Sequence, residues 1–143
     1  TGIDSEDIEI ILSWENSDEE EDEDEIDLDA YLITPDNEEI SYRRKLSTDY
    51  KILFESNENE EKIRIEDLED GNYEFFVTSE EGFEEIEATV EIYENGSLTQ
   101  SFISTENEEN IWKIFHILDS SDLLLIDQYG DCELIQKENS YCN

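Results

Sequence analysis

The chain has 143 residues, enough for one domain with a buried core. It carries 44 acidic side chains against 8 basic ones, a formal net charge of −36 at pH 7. A charge of this size repels nucleic acid and anionic membranes, which excludes both as partners. No apolar run approaches the roughly 18 residues that a membrane-spanning segment needs, so we expect no membrane insertion.

Apolar and polar residues alternate in short segments along the chain, with the period of a β-strand that has one buried face. In chain order these segments are Ile8–Trp14, Leu28–Leu32, Tyr50–Phe54, Ile63–Ile65, Tyr73–Val77, Ile86–Ile92, Leu98–Ile103, Ile111–Leu118 and Leu123–Ile126. Asn95-Gly96 is typical of a two-residue type I′ turn. We therefore expect Ile86–Ile92 and Leu98–Ile103 to pair as a hairpin.

Many short strands with regular turn signals indicate an all-β fold. We predict an antiparallel immunoglobulin-like β-sandwich of about 8–10 strands over residues 1–128, with an acidic loop at 15–26. Residues 129–143 would form a C-terminal extension. Cys132 and Cys142 lie close together in that extension, which fits one local disulfide in a secreted protein; two free thiols are the alternative.

The densest charge is Asp18–Glu25, eight consecutive acidic residues between two predicted strands. Carboxylate oxygens are the ligands that Ca²⁺ prefers, and Asp27 and Asp29 share one face of a strand, about 7 Å apart. The candidate calcium ligands are Asp22, Asp24, Asp27 and Asp29. The alternative is a solvated run that binds counterions diffusely, because the segment lacks the spacing of an EF-hand loop.

Residues that could support catalysis are scarce. His116 is the single histidine, and it shares the alternation of Trp112 and Ile114, which is typical of a residue packed in a sheet. The chain has no glycine-rich phosphate-binding motif and too few cysteine and histidine ligands for a zinc site. Trp14 also falls on an apolar parity, so we expect both tryptophans in the core. We therefore expect a protein that is not an enzyme.

Several motifs occur in an order that resembles secreted bacterial β-sandwich modules, akin to pre-peptidase C-terminal and bacterial immunoglobulin-like surface domains. They are Leu12-Ser13-Trp14, Asp27 to Leu32, Thr34-Pro35-Asp36, Tyr42, Glu61 to Ile65, Leu68 to Val77 and Trp112 to Ile117. The resemblance implies a non-catalytic module beside other domains of a larger surface protein. It also implies that Asp27 and Asp29 lie near Ca²⁺.

These observations predict a secreted or cell-surface module that serves in binding, adhesion or architecture, with Ca²⁺ as its only expected cofactor. Its ligand would be a protein or a glycan, and we expect a monomer. A carbohydrate-binding accessory module of a secreted enzyme is one alternative, and it predicts exposed aromatic rings on one sheet face. An acidic spacer without a specific ligand is the other.

Overall fold

The computed structural model describes residues 7–16, 28–48, 51–57, 59–66, 71–84, 86–118, 122–137 and 139–142. Its strands are β1 (Ile8–Asn16), β2 (Leu28–Ile33), β3 (Glu39–Ile40), β4 (Ile52–Asn57), β5 (Glu60–Ile65), β6 (Asn72–Ser79), β7 (Ile86–Glu94), β8 (Ser97–Ile103), β9 (Ile111–Leu118) and β10 (Asp122–Gly130). The longest helix within these ranges is a 3₁₀ turn at Cys132–Leu134, so none of the described helices could cross a membrane.

The strands form two five-stranded sheets that pack as a sandwich. The first sheet has the order β4-β5-β1-β7-β8, the second has the order β10-β9-β6-β2-β3, and every pairing is antiparallel. The predicted all-β sandwich is confirmed. Each predicted strand has a counterpart, although Tyr50 lies outside the described residues, and the two-residue β3 was too short to show an alternation.

The core lies between the sheets and is built from the inward-facing parity of each strand. On β7 the inward side chains from Ile86 to Ile92 are buried, whereas Glu87 is exposed on the opposite face. The largest core side chains include Trp112, Phe54, Phe75 and Phe115. Both tryptophans lie in this core, as the alternation predicted, with Trp14 only 6% exposed and Trp112 fully buried.

The β7–β8 hairpin turns where the sequence indicated. Asn95 and Gly96 adopt φ values of 53° and 88°, the positive pair that a type I′ turn requires. Asparagine and glycine tolerate this backbone conformation better than other residues. The predicted pairing of the two strands is confirmed.

A β-bulge in β9 changes which face His116 occupies. Phe115 pairs with Phe75 and Lys113 pairs with Phe76, so Ile114 is the extra residue between them. An extra residue reverses the alternation beyond it. His116 is buried, as predicted, but it lies on the outer face with Lys113 and not on the core face with Trp112 and Ile114.

The C-terminal segment covers the outer face of the second sheet. β10 runs to Gly130, and the residues after it, 131–137 and 139–142, form what we call the C-terminal strap. Cys132 and Cys142 form a disulfide, as predicted, and no free cysteine remains. The strap packs on a second apolar cluster that is separate from the core and comprises Tyr31, Ile33, Phe76 and Ile111 with Ile135, Tyr141 and Cys142.

Candidate functional site

The predicted calcium ligands fall mostly outside the described residues. Asp22, Asp24 and Asp27 lie there, whereas Asp29 lies on β2 and is half-buried. Asp29 shares the outer face with Tyr31, whose pKa is raised by burial and by the neighbouring charges, Asp29 among them. Within the described ranges, no group of three or more histidine, cysteine or acidic side chains is arranged to hold a metal ion.

A hollow of about 260 Å³ lies beside Asp29, at the end of the sandwich where β1 stops and β2 begins. Its lining residues are Trp14, Leu28, Asp29, Tyr42, Ser56, Asn57, Asn59 and Glu61. Asn16 ends β1 and Leu28 begins β2, so this hollow lies near the described residues that flank the acidic segment in the sequence. Its hydroxyl, amide and carboxylate groups suit a small polar ligand.

Two polar groups of this hollow are buried. Glu61 is 6% exposed, and its carboxylate accepts a hydrogen bond of 2.7 Å from the backbone N–H of Ala30. That bond links the two sheets. It also satisfies a backbone N–H on the part of the β2 edge that does not pair with β3. The indole N–H of Trp14 is also buried and has no acceptor among the described residues. An unpaired buried donor costs about 1–3 kcal/mol.

A charged network is buried beneath the C-terminal strap. Glu74 on β6 is fully buried, and its Oε2 lies 3.0 Å from Nζ of Lys113 on β9. The same carboxylate accepts hydrogen bonds of 3.0 Å from the backbone N–H groups of Gln136 and Lys137. Lys113 Nζ also donates to the carbonyl of Leu134 at 2.8 Å. Glu74 and Lys113 therefore each bond to the backbone of the strap in addition to forming an ion pair with each other.

His116 borders this network. Its Nε2 lies 3.8 Å from Glu74 Oε2, and its Nδ1 lies 2.7 Å from the side-chain oxygen of Asn72, a geometry in which Nδ1–H donates. Burial lowers the pKa of His116, and the Lys113 charge lowers it further, whereas Glu74 opposes this shift. The imidazole is therefore neutral at pH 7.

Glu74, Lys113 and His116 together provide a carboxylate, an amine and an imidazole, which are groups that general acid–base catalysis uses. A catalytic base must come within hydrogen-bonding distance of a substrate. Glu74 is fully buried, however, and Lys113 and His116 are each 4% exposed, with strap residues bonded to the carboxylate and the amine. In this arrangement the network serves to dock the strap.

The strap makes further polar contacts toward the β3 edge. Ser140 donates to the Glu39 carboxylate from both its backbone N–H and its hydroxyl, each at 2.6 Å. Tyr141 packs edge-on against Tyr31, with ring centroids 6.0 Å apart, and Tyr31 stacks on Phe76. Polar and aromatic contacts thus hold the strap along its described length.

Sequence reasoning missed this covered face. The available signals were Phe76 and Ile111, which break the alternation of their strands, and Glu74, an acidic residue within an apolar run. A strand that is buried on both faces has a nearly continuous apolar sequence. The nearly continuous apolar segment Tyr73–Val77 therefore predicts that a second layer covers the outer face of this strand.

Among the residues that the structure describes, Tyr42 is the aromatic side chain with a large exposed area. Tyr42 is 42% exposed and lies at the edge of the hollow, with the guanidinium of Arg43 5.2 Å from its ring centroid. The two buried tryptophans present no face for sugar stacking. Comparison of the chain with protein-family models and with curated proteins finds no match.

Proposed function

We propose that this chain is a non-catalytic β-sandwich module of a secreted or cell-surface protein, where it serves in binding, adhesion or architecture. The observation that carries the proposal is the Cys132–Cys142 disulfide, which closes the strap over a buried network. Structural disulfides of this kind persist in oxidising compartments and are rare in the cytosol. The acidic surface, with a formal net charge of −36, supports solubility outside the cell.

The location can be tested directly on the source cells. Antibodies raised against the folded chain should label intact cells or detect the protein in the culture medium. Alkylation of the protein isolated under denaturing, non-reducing conditions should leave Cys132 and Cys142 unmodified. Confinement of the chain to the cytoplasm with both thiols free would contradict the proposal.

We also propose that Ca²⁺ stabilises this module. This second proposal rests on the sequence and on the position of Asp29. A site formed by Asp22, Asp24, Asp27 and Asp29 would join the acidic segment to the start of β2 and stabilise the module. The test is the melting temperature in EDTA, Ca²⁺ and Mg²⁺ at matched ionic strength. Calcium at about 100 times its Kd adds about 2.7 kcal/mol, which corresponds to roughly 5–10 °C for a domain of this size.

Two variants with equal changes in net charge make this test specific. Asp27→Asn/Asp29→Asn should abolish the Ca²⁺-dependent rise, whereas Glu106→Gln/Glu108→Gln, on exposed positions elsewhere, should retain it. An equal small rise with both ions, unchanged in either variant, would contradict a specific site. That result would indicate diffuse screening and would favour the acidic spacer.

A further inference from the structure

The two sides of the sandwich differ in whether another segment covers their edge strands. At one side, the edge of β4 is covered by the preceding segment, since the N–H of Phe54 donates to the carbonyl of Lys45 at 2.7 Å and that of Ser47 donates to Ile52 at 3.0 Å. At the other side, β8 ends the first sheet and β10 ends the second. The hydroxyl of Tyr129 on β10 accepts from Thr105, just after β8, so these two edges lie side by side.

Within the described ranges no strand pairs with the outer edge of β8. Natural sheets protect such edges with charged residues, proline or very short strands. Ser97–Ile103 has seven residues and contains neither a charge nor a proline. Its Leu98 and Ile103 are 50% and 58% exposed, and Leu124 and Leu125 on neighbouring β10 are 47% and 49% exposed.

The surroundings of this edge carry one sign of charge. Between Arg64 and Lys113 the sequence has 15 acidic residues and no basic one. Glu91 lies directly across from Ser101 on the outer face, and Lys113 is buried under the strap. An anionic partner, or a second copy with the same charge of −36, is repelled from this edge, whereas a cationic partner is attracted.

We propose that the outer edge of β8 accepts an extended, lysine- or arginine-bearing segment of a partner protein by β-strand addition. Main-chain hydrogen bonds to β8 would supply affinity, while alternate side chains would contact Leu98 and Ile103 or pair with Glu91. The inference rests on the proposed function only in that the module binds a partner. Its test does not involve calcium or cellular location, so the two proposals fail separately.

The probe is a synthetic peptide of ten residues with alternating lysine and valine, measured by calorimetry and NMR at about 0.15 M salt, where the Debye length is about 8 Å. The control peptide has the same sequence with methylated backbone nitrogens, so it keeps the charge but cannot donate main-chain hydrogen bonds to β8. We expect the control to bind about tenfold more weakly or worse, and we expect amide shifts to centre on β8.

The edge is tested with Leu98→Lys and Ile103→Lys, each of which removes an apolar contact and adds a repelling charge. Both should weaken binding about tenfold. Leu53→Lys on the covered β4 edge is the matched control, because Leu53 is 41% exposed, and it should leave binding within about twofold. The NMR map on the unaltered chain tests the site even where a variant fails to fold.

Four results would overturn the proposal. Equal binding of the two peptides would show charge attraction without strand pairing, and equal loss in the Leu53 variant would place the peptide elsewhere. Self-association in sedimentation velocity that Ile103→Lys abolishes would make a second copy of the chain the occupant. Absence of peptide binding would also refute it.

Discussion

The C-terminal strap seals the outer face of the second sheet over β2, β6 and β9, whereas the outer face of the first sheet meets solvent. Both faces carry a lysine–glutamate pair across neighbouring strands. The side chains of Lys113 and Glu74, under the strap, are 5% and 0% exposed, with 3.0 Å between their charged atoms. Lys62 and Glu55, on the open face, are 35% and 54% exposed at 4.0 Å.

The difference shows that burial, more than residue type, decides what an ion pair contributes. An exposed pair is solvated by water and screened by salt, so its loss costs little. Removal of one member of a buried pair leaves the other as an uncompensated charge in a low-dielectric environment. Substitutions on the two faces therefore provide matched tests.

The largest effect is expected for Glu74→Gln. The change preserves shape but leaves the Lys113 ammonium without its counter-charge and weakens the acceptor of Gln136 and Lys137. We expect a loss of about 3–5 kcal/mol in the free energy of unfolding, measured with denaturant. A loss below about 1 kcal/mol would mean that the face is not sealed in solution.

The next largest effect is expected for Cys132→Ser/Cys142→Ser. The disulfide closes a loop between residues ten positions apart, and loss of that constraint destabilises by about 2–3 kcal/mol in the chain-entropy account. The melting temperature should fall accordingly, and reduction of the wild-type protein should give the same result. An unchanged melting temperature would show that the disulfide contributes nothing to stability.

A smaller effect is expected from the protonation of His116. Its pKa is lowered in the folded state, so the unfolded chain binds more protons as the pH falls below the ordinary histidine value of about 6.5. The stability that the neutral imidazole contributes is therefore present above about pH 6.5 and is lost as the pH falls toward the folded-state pKa.

The measurement compares wild type with His116→Gln between about pH 8 and pH 5. Since the many carboxylates titrate in both proteins, the difference between the two melting curves isolates the histidine. The advantage of the wild type should shrink on acidification. A difference that stays constant with pH would contradict the neutral, buried imidazole.

The smallest effect is expected for Glu55→Gln on the open face. It removes one member of an exposed pair, and the free energy of unfolding should change by no more than about 0.5 kcal/mol. Raising the salt concentration should abolish even that change. A loss comparable to that of Glu74→Gln would erase the contrast between the two faces.

The alternation of the sequence predicted most of the fold because one buried face imposes a period of two on every strand. It succeeded best at β7, where only one face is covered. It was less informative for β6 and β9, which are buried on both faces. The apolar run of β6 indicates that a second layer covers it, but no local pattern identifies the C-terminal strap as that layer.

The candidate sites were harder to predict than the strands. The disulfide partners lie close in sequence, so their spacing was informative. The bulge at Ile114 moved His116 to the outer face, and a one-residue shift of this kind leaves no mark in the alternation before it. The alternation of the neighbouring residues correctly predicted that Asp29 lies on a strand. The set of calcium ligands predicted around Asp29 remains a prediction.

Hydrogen exchange of the Gln136 and Lys137 amides tests the sealed face most directly. Both N–H groups donate to the buried Glu74 carboxylate. We predict that they exchange as slowly as core amides of β6, because opening them requires the whole strap to leave the sheet. Exchange as fast as that of an exposed loop would contradict a sealed second face.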